Sequence, residues 1–158
     1  MDSYLFSMTD SAVLCTRARI DPRGPRFGGA ISTVVLAIAL IAIGTPLGAA
    51  LIAWQTLVFG LGAFAGLRAQ PYGILFRTFI SPRLPAPAEL EDSAPPRFAQ
   101  LVGFAFLAVA LLSVLLGSVL ISAIAVAFAL GAAFLNAAFN FCLGCEVFLL
   151  VKRLARSS

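Results

Sequence analysis

Near the C-terminus the chain has a compact group of reactive side chains, two cysteines and a glutamate. They lie in the sequence Cys142-Leu143-Gly144-Cys145-Glu146. Two cysteines separated by two residues lie on one side of a helix, where they can close a disulfide or bind a soft metal. The chain contains no His, which excludes imidazole bases, imidazole metal ligands and nucleophile pairs of the Ser-His or Cys-His type. The cysteine pair is therefore the one candidate chemical site.

The cysteine pair follows two long apolar stretches that are predicted to cross a membrane. Hydrophobic residues make up 61% of the chain and charged residues 11%, whereas soluble domains have roughly 45–50% and 25%. Residues 27–67 and 98–145 contain no charged side chain. One crossing needs about 20 residues, so each stretch is long enough for two. The composition excludes an ordinary soluble enzyme and predicts an all-α membrane protein.

Glycine and proline divide each uncharged stretch into two helices. Gly44-Thr45-Pro46-Leu47-Gly48 interrupts the first stretch, and Gly117-Ser118 interrupts the second. We therefore expect four transmembrane helices, two in each of two hairpins. The predicted organisation is an N-terminal cytoplasmic or interfacial segment (1–26), a first hairpin (27–67, spans about 28–43 and 47–67), a cytoplasmic loop (68–97, with an interfacial segment at 71–80), a second hairpin (98–140, spans about 98–116 and 119–140) and a Cys-pair segment with a basic tail (141–158).

The two hairpins repeat one another in sequence. Pro25-Arg26-Phe27 recurs as Pro96-Arg97-Phe98, and Leu36-Ala37-Ile38-Ala39-Leu40 recurs as Leu107-Ala108-Val109-Ala110-Leu111. Because each copy holds an even number of spans, both copies have the same orientation in the membrane. The pattern predicts two duplicated helical hairpins in parallel orientation, with short interfacial helices after them.

The positive charges predict the orientation of the chain. All eleven Lys and Arg residues lie in residues 17–26, 68–97 and 152–156, and neither turn carries a charge. Basic residues favour the cytoplasmic side, so we expect both termini and the central loop in the cytoplasm. Topology and contact with the lipid bilayer account for the net charge of +4. No nucleic acid partner is therefore expected.

The repeat also predicts the surroundings of Cys142. Cys142 takes the place of Pro71, which is expected to end a span and open an interfacial segment. A short helix from about Leu143 to Leu154 would then begin at Cys142, where free amide hydrogens and the helix dipole favour a thiolate. Cys142 is the predicted attacking thiol and Cys145 the resolving thiol. Glu146 accepts a proton or, if ionised, opposes the thiolate.

The predicted cytoplasmic location limits the chemistry of the cysteine pair. A permanent disulfide is disfavoured in the reducing cytoplasm, whereas a transient disulfide, a persulfide or a thiolate ligand is allowed.

Other interpretations of the two cysteines remain open. Both thiols are alternatively small apolar fillers in a non-catalytic membrane scaffold or small permeation unit. A soft-metal site needs Cys142, Cys145 and Glu146 paired across a dimer. No cofactor or metal is assigned, and the sequence leaves open whether the protein is an enzyme.

Small and amide side chains have mainly structural interpretations. Gly62 and Gly66 have a spacing that permits close helix approach, as in a homodimer. Asn136 and Asn140 lie one helical turn apart and either bond across helices or line a small polar site under the cysteines. Cys15 stands alone in the N-terminal segment and has no predicted role.

Four segments of the chain resemble a bacterial membrane-protein family known as domain of unknown function 4395. They are Asp21-Pro22-Arg23-Gly24-Pro25-Arg26-Phe27, Pro71-Tyr72-Gly73, Pro95-Pro96-Arg97-Phe98 and Phe141-Cys142-Leu143-Gly144-Cys145-Glu146. The resemblance runs from about Ile20 to Leu154 and implies a multi-pass protein of the bacterial inner (plasma) membrane. Members are often encoded beside thioredoxin-like proteins and thiosulfate sulfurtransferases, which implies such a soluble partner. The combined hypothesis is a cytoplasm-facing dithiol for thiol redox or sulfur transfer.

Overall fold

The computed structural model describes residues 19–157, which are mostly helical. Strand β1 (Arg19–Ile20) pairs with strand β2 (Glu91–Asp92) in antiparallel register, with Arg19 opposite Asp92. The α-helices in this range are α1 (Arg23–Ile41), α2 (Pro46–Gly60), α3 (Pro71–Leu75), α4 (Ala94–Leu115), α5 (Val119–Phe139) and α6 (Leu143–Arg156). A π-helical turn, Leu61–Ala65, extends α2, and a second π-helical turn, Phe76–Ile80, extends α3.

Four helical segments are long and apolar enough to cross a membrane. They are Arg23–Ile41, Pro46–Ala65, Ala94–Leu115 and Val119–Phe139, with mean hydropathies of 1.6 to 2.4. Between 17% and 44% of each apolar segment is buried inside the protein, so most of their apolar side chains face outward, as expected of helices in lipid. The prediction of an all-α, membrane-type fold with four such helices is confirmed.

Local sequence determines where these helices begin and end. The first helix begins at Arg23, ahead of the span expected from residue 28, because a carboxylate oxygen of Asp21 accepts the Arg23 N–H at 3.0 Å. Side-chain hydrogen bonds from Arg23 also hold the pKa of Asp21 below its usual value. At the start of α2, the Thr45 hydroxyl accepts the Gly48 N–H at 3.2 Å, which satisfies an otherwise free amide of the first turn.

The helices pack in a regular pattern around one core. Helix α1 contacts α2 and α5, while α4 contacts α5 and α2. The short helix α3 packs on α1, and α6 packs mainly on α4. The four long helices therefore form a ring in the order α1, α2, α4, α5, and α1 and α4 each carry one short helix. The core contains fully buried side chains from all four long helices: Leu36, Ala39, Ile52, Val58, Leu107, Ala110 and Val126.

A chain of polar side chains crosses the core and links the first three helices. Gln55 is fully buried; its amide donates to the Ser32 hydroxyl at 2.8 Å. The Tyr72 hydroxyl donates to the Gln55 carbonyl oxygen at 2.9 Å and accepts the Trp54 indole N–H at 3.0 Å. Burial raises the pKa of Tyr72, so its hydroxyl stays protonated as a donor. The network satisfies polar groups that would be costly to leave unpaired in this environment.

Candidate functional site

The cysteine pair lies at the start of helix α6. Helix α5 ends at Phe139; its C-cap residue Asn140 adopts a left-handed backbone conformation with φ +54°, and the chain then turns into α6. Cys142 is the N-cap residue of α6, and its Sγ accepts the Cys145 N–H at 3.3 Å. The expected short helix therefore begins at Leu143 with Cys142 at its N-terminus. Free amides and the positive end of the helix dipole surround this sulfur.

The two cysteines form a disulfide, and their Cα atoms lie 5.1 Å apart. The sequence allowed a transient disulfide here and disfavoured a permanent one. The bonded pair corresponds to the oxidised form of the predicted dithiol. Both sulfurs belong to the first turn of one helix, so opening and closing the bond requires no movement of distant elements.

Glu146 lies in the first turn of α6 and has an exposed side chain. Its backbone N–H donates to the Cys142 carbonyl oxygen at 3.0 Å. The carboxylate lines the same cavity as both cysteines. This placement is suited to exchange of a proton with the pair, although a negative charge in the same turn also opposes a thiolate.

Gly144 allows α6 to approach α4 closely. A Cβ atom at this position would lie 2.5 Å from the Ala99 Cα and 2.6 Å from the Ala99 Cβ. One turn further on, the rings of Phe98 and Phe148 meet with centroids 5.6 Å apart. These contacts hold the first turn of α6, which contains the cysteines, against the start of α4, the end of α4 that is predicted to face the cytoplasm. Gly144 is thus needed for the position of the pair, which the sequence pattern alone did not indicate.

The cysteines border a cavity of about 580 Å³ between α1, α4, α5 and α6. This volume is within the range of roughly 300–1,000 Å³ typical of small-molecule sites. The cavity extends from β2 and the first turn of α6 to Ser32 and Phe59 inside the bundle. No Lys or Arg of the described chain lines it. Its lining contains three carboxylates, three amide side chains and one hydroxyl: Glu91, Asp92, Glu146, Gln100, Asn136, Asn140 and Ser32.

The structure places the predicted asparagines and glycines in definite roles. The Asn136 side-chain amide donates to the Pro25 carbonyl oxygen at 3.2 Å, so Asn136 bonds across helices and also lines the cavity. Asn140 is the C-cap residue of α5 and lines the cavity beside Cys142. A Cβ atom on Gly62 would lie 2.9 Å from Gln100 Oε1 of the same chain, and Gly66 lies beyond the π-helical turn with φ +96°.

Sequence reasoning missed the inner end of the cavity. The sequence pattern singles out neither Gln55 nor Ser32, and Tyr72 stands there only as part of the segment Pro71-Tyr72-Gly73. The structure joins these three side chains by hydrogen bonds and brings Ser32, which is 1% exposed, to the cavity wall. Small hydroxyl residues are common in membrane helices. Only the packing of α1 against α2 shows that Ser32 has a buried hydrogen-bond partner, Gln55.

No group of three or more His, Cys, Asp or Glu side chains within residues 19–157 is arranged to hold a metal ion. A soft-metal site would thus need ligands from outside this range or from a second chain. Cys15 lies outside the described residues, as does the N-terminal segment before Arg19.

Comparison with known proteins identifies the family of the chain. A family model described as domain of unknown function (DUF4395) matches residues 20–153. The chain matches no curated protein and no solved structure. The matched range contains all four long helices, the cysteine pair and most of α6. The protein belongs to the DUF4395 family.

Proposed function

We propose that the protein is a membrane-bound thiol exchange protein in which Cys142 and Cys145 alternate between a dithiol and a disulfide. The observation that carries the proposal is the position of the pair: two bonded sulfurs in the first turn of α6, at a cavity. Cysteines that are mere fillers have no need of a helix N-terminus or of the Cys145 N–H that the Cys142 sulfur accepts. A helix N-terminus favours the thiolate, the reactive form of a cysteine.

The exchange runs in two steps. The Cys142 thiolate attacks one sulfur of a partner disulfide, forming a mixed disulfide and releasing the other partner sulfur as a thiolate. Cys145 then gives up its proton and attacks the Cys142 sulfur, which closes the intramolecular disulfide and releases the partner as a dithiol. Glu146, in the same turn, accepts the Cys145 proton. The partner is a soluble thioredoxin-like protein, and the reverse steps oxidise it.

Sulfur transfer would use the same attacking thiol. With a soluble sulfurtransferase as donor, the Cys142 thiolate takes a sulfane sulfur and becomes a persulfide, while the donor keeps its own thiolate. Cys145 then attacks the Cys142 sulfur, closing the disulfide and releasing hydrosulfide. The free amides around Cys142 support a persulfide anion by the same dipole argument. The mass of the group attached to Cys142 distinguishes the two versions.

We place the exchange on the cytoplasmic side of the bacterial inner membrane. All Lys and Arg residues lie outside the two tight turns, and residues 152–156 of α6 carry three of them. The packing supports a duplicated pair of hairpins in parallel orientation, because α1 and α4 each contact the second helix of both hairpins. Each also carries the short helix that follows its own hairpin.

The orientation gives a direct prediction. Reporter fusions at Ser158 and within residues 44–48 should report opposite sides of the membrane, with Ser158 in the cytoplasm. A phosphatase reporter and a fluorescent reporter, which are active on opposite sides, provide matched readings at each position. The same location for both fusions would overturn the arrangement of four spans.

Redox titration tests the exchange itself. We expect the pair to be reduced and reoxidised reversibly between roughly −270 and −120 mV, the range of exchange-active thiol proteins, whereas structural disulfides lie below about −300 mV. Maleimide labelling of membranes equilibrated in redox buffers measures this, with Cys15→Ala as background so that only the pair is counted. A pair that stays fully oxidised or fully reduced across that range would instead indicate a scaffold with structural cysteines.

A further inference from the structure

We infer that the cavity beside the cysteines binds a membrane-dissolved quinone, which accepts electrons from the Cys142–Cys145 dithiol. The inference rests on the proposed thiol exchange and names the lipophilic reactant on the membrane side of the same site. It follows from three features of the cavity: its continuation into the lipid-facing surface, the absence of basic side chains in its described lining, and a buried hydroxyl at its inner end.

The cavity continues into an apolar groove on the outside of the bundle. A second cavity of about 450 Å³ lies between α4 and α5 and shares Val102, Phe106 and Phe128 with the first. All the residues that line this groove are apolar. Several of them are about half exposed, among them Val109 and Ile124. A ligand with a flat head and an apolar tail would thus have its head beside the cysteines and its tail in the groove, with entry from the bilayer.

The charge of the lining selects a neutral head. Glu91, Asp92 and Glu146 line the cysteine end of the cavity, and no Lys or Arg in the described chain lines it. A phosphate or carboxylate head would lie near the carboxylates of Glu91 and Glu146, and no Lys or Arg belongs to the described lining, which is costly in a partly buried site. Phospholipids and fatty acids are therefore disfavoured, whereas a quinone carries no charge.

The polar groups of the inner cavity match the carbonyl oxygens of a quinone. Within the described chain, the Ser32 hydroxyl oxygen accepts its hydrogen bond from Gln55, which leaves the hydroxyl hydrogen free to donate. The Gln100 Oε1 accepts from Gln70 at 3.1 Å, and its side-chain NH₂ is likewise free to donate. Few, well-placed polar groups in an apolar pocket are what orient a small ligand.

The electron transfer balances without a further reactant. The Cys142 thiolate adds to a ring carbon of the quinone, and the Cys145 thiolate then attacks the Cys142 sulfur. The S–S bond forms, the C–S bond breaks, and its electron pair returns to the ring. The two protons lost by the thiols end on the ring oxygens, so the dithiol is oxidised to the disulfide and the quinone is reduced to the hydroquinone.

Oxidation of the reduced full-length protein by decylubiquinone tests the inference. In phosphatidylcholine nanodiscs the rate, followed by quinone absorbance and by free thiols, should saturate with quinone concentration. Ala132→Phe, which fills the cavity, should lower the rate at least tenfold and abolish saturation. The matched change Ala127→Phe, at an exposed position outside both cavities, should leave it unchanged. Ser32→Ala should raise the half-saturating quinone concentration.

Oxidation by excess glutathione disulfide, which can oxidise a dithiol in the predicted range of potentials, serves as the second measurement. It should be equal in the wild type and in Ala132→Phe, which shows that the variant retains a reactive pair. Equal quinone rates in Ala132→Phe and the wild type would overturn the cavity as the quinone site. If glutathione disulfide oxidises the pair and decylubiquinone does not, the quinone inference falls and the thiol exchange stands. If neither oxidises it, both fall.

Discussion

At pH 6, Cys142 should react with iodoacetamide about tenfold faster than Cys145, each as the only cysteine of the chain. Thiols at helix N-termini have pKa values of roughly 3.5–7.5, against about 8.5 for a free cysteine. At pH 6 such a thiol is ionised far more often, and its lower intrinsic nucleophilicity cancels only part of this advantage. Cys142 receives the Cys145 N–H and caps α6, whereas Cys145 lies within the helix.

The same argument predicts that the order of the two rates reverses at high pH. Near pH 9 both thiols are largely ionised, and the more basic thiolate is then the better nucleophile. Glu146→Gln should raise the Cys142 rate at pH 6 further, because it removes a negative charge from the same turn. Rates measured in membranes between pH 5 and pH 9 check both points. A filler role predicts two similar, slow profiles without a crossing, and that result would end the activated-thiol account.

Gly144→Val should detach α6 from α4 and destabilise the protein. The Cβ atom would lie 2.5 Å from Ala99 Cα, so the helix must move. Overpacking of this kind costs about 1–3 kcal/mol. We expect the thermal unfolding midpoint, followed by circular dichroism in detergent, to fall by several degrees. Cys142 should also lose its rate advantage over Cys145, because its position in the turn is no longer fixed.

Gly131→Ala is the matched control for this change. Gly131 lies within α5, and a Cβ atom there meets nothing within 4 Å. Alanine favours helix over glycine by about 1 kcal/mol, so the unfolding midpoint should stay the same or rise. If Gly144→Val melts like Gly131→Ala, the close packing of α6 on α4 is not what fixes the cysteine turn.

Local signals made much of the fold predictable. The four spans follow from hydropathy, and their ends follow from residues such as Gly44, Pro46 and Gly117, whose effects are confined to a turn. The start of α6 directly after Cys142 was likewise predictable from the repeat, in which Cys142 takes the place of Pro71, the first residue of α3. These inferences use hydropathy, turn-forming residues and the internal repeat, and none of them needs to know which helix faces meet.

The cavity and its inner end were not predictable, because they depend on which helix faces meet. The long helices are apolar on all sides, so they lack the periodicity that identifies a buried face. Ser32 therefore gave no sign that it would meet Gln55, and Gly144 none that it would meet Ala99.

The most direct test of the thiol exchange is a trapping experiment with Cys145→Ser. The variant cannot resolve a mixed disulfide, so tagged protein purified from native membranes without reductant should carry a soluble thioredoxin-like or sulfurtransferase protein, or a single added sulfur, on Cys142. Mass spectrometry should find the link at Cys142 and show its loss on reduction. The matched Cys142→Ser variant should carry none. An equal, background level of disulfide-linked protein and no added sulfur on either variant would contradict the account.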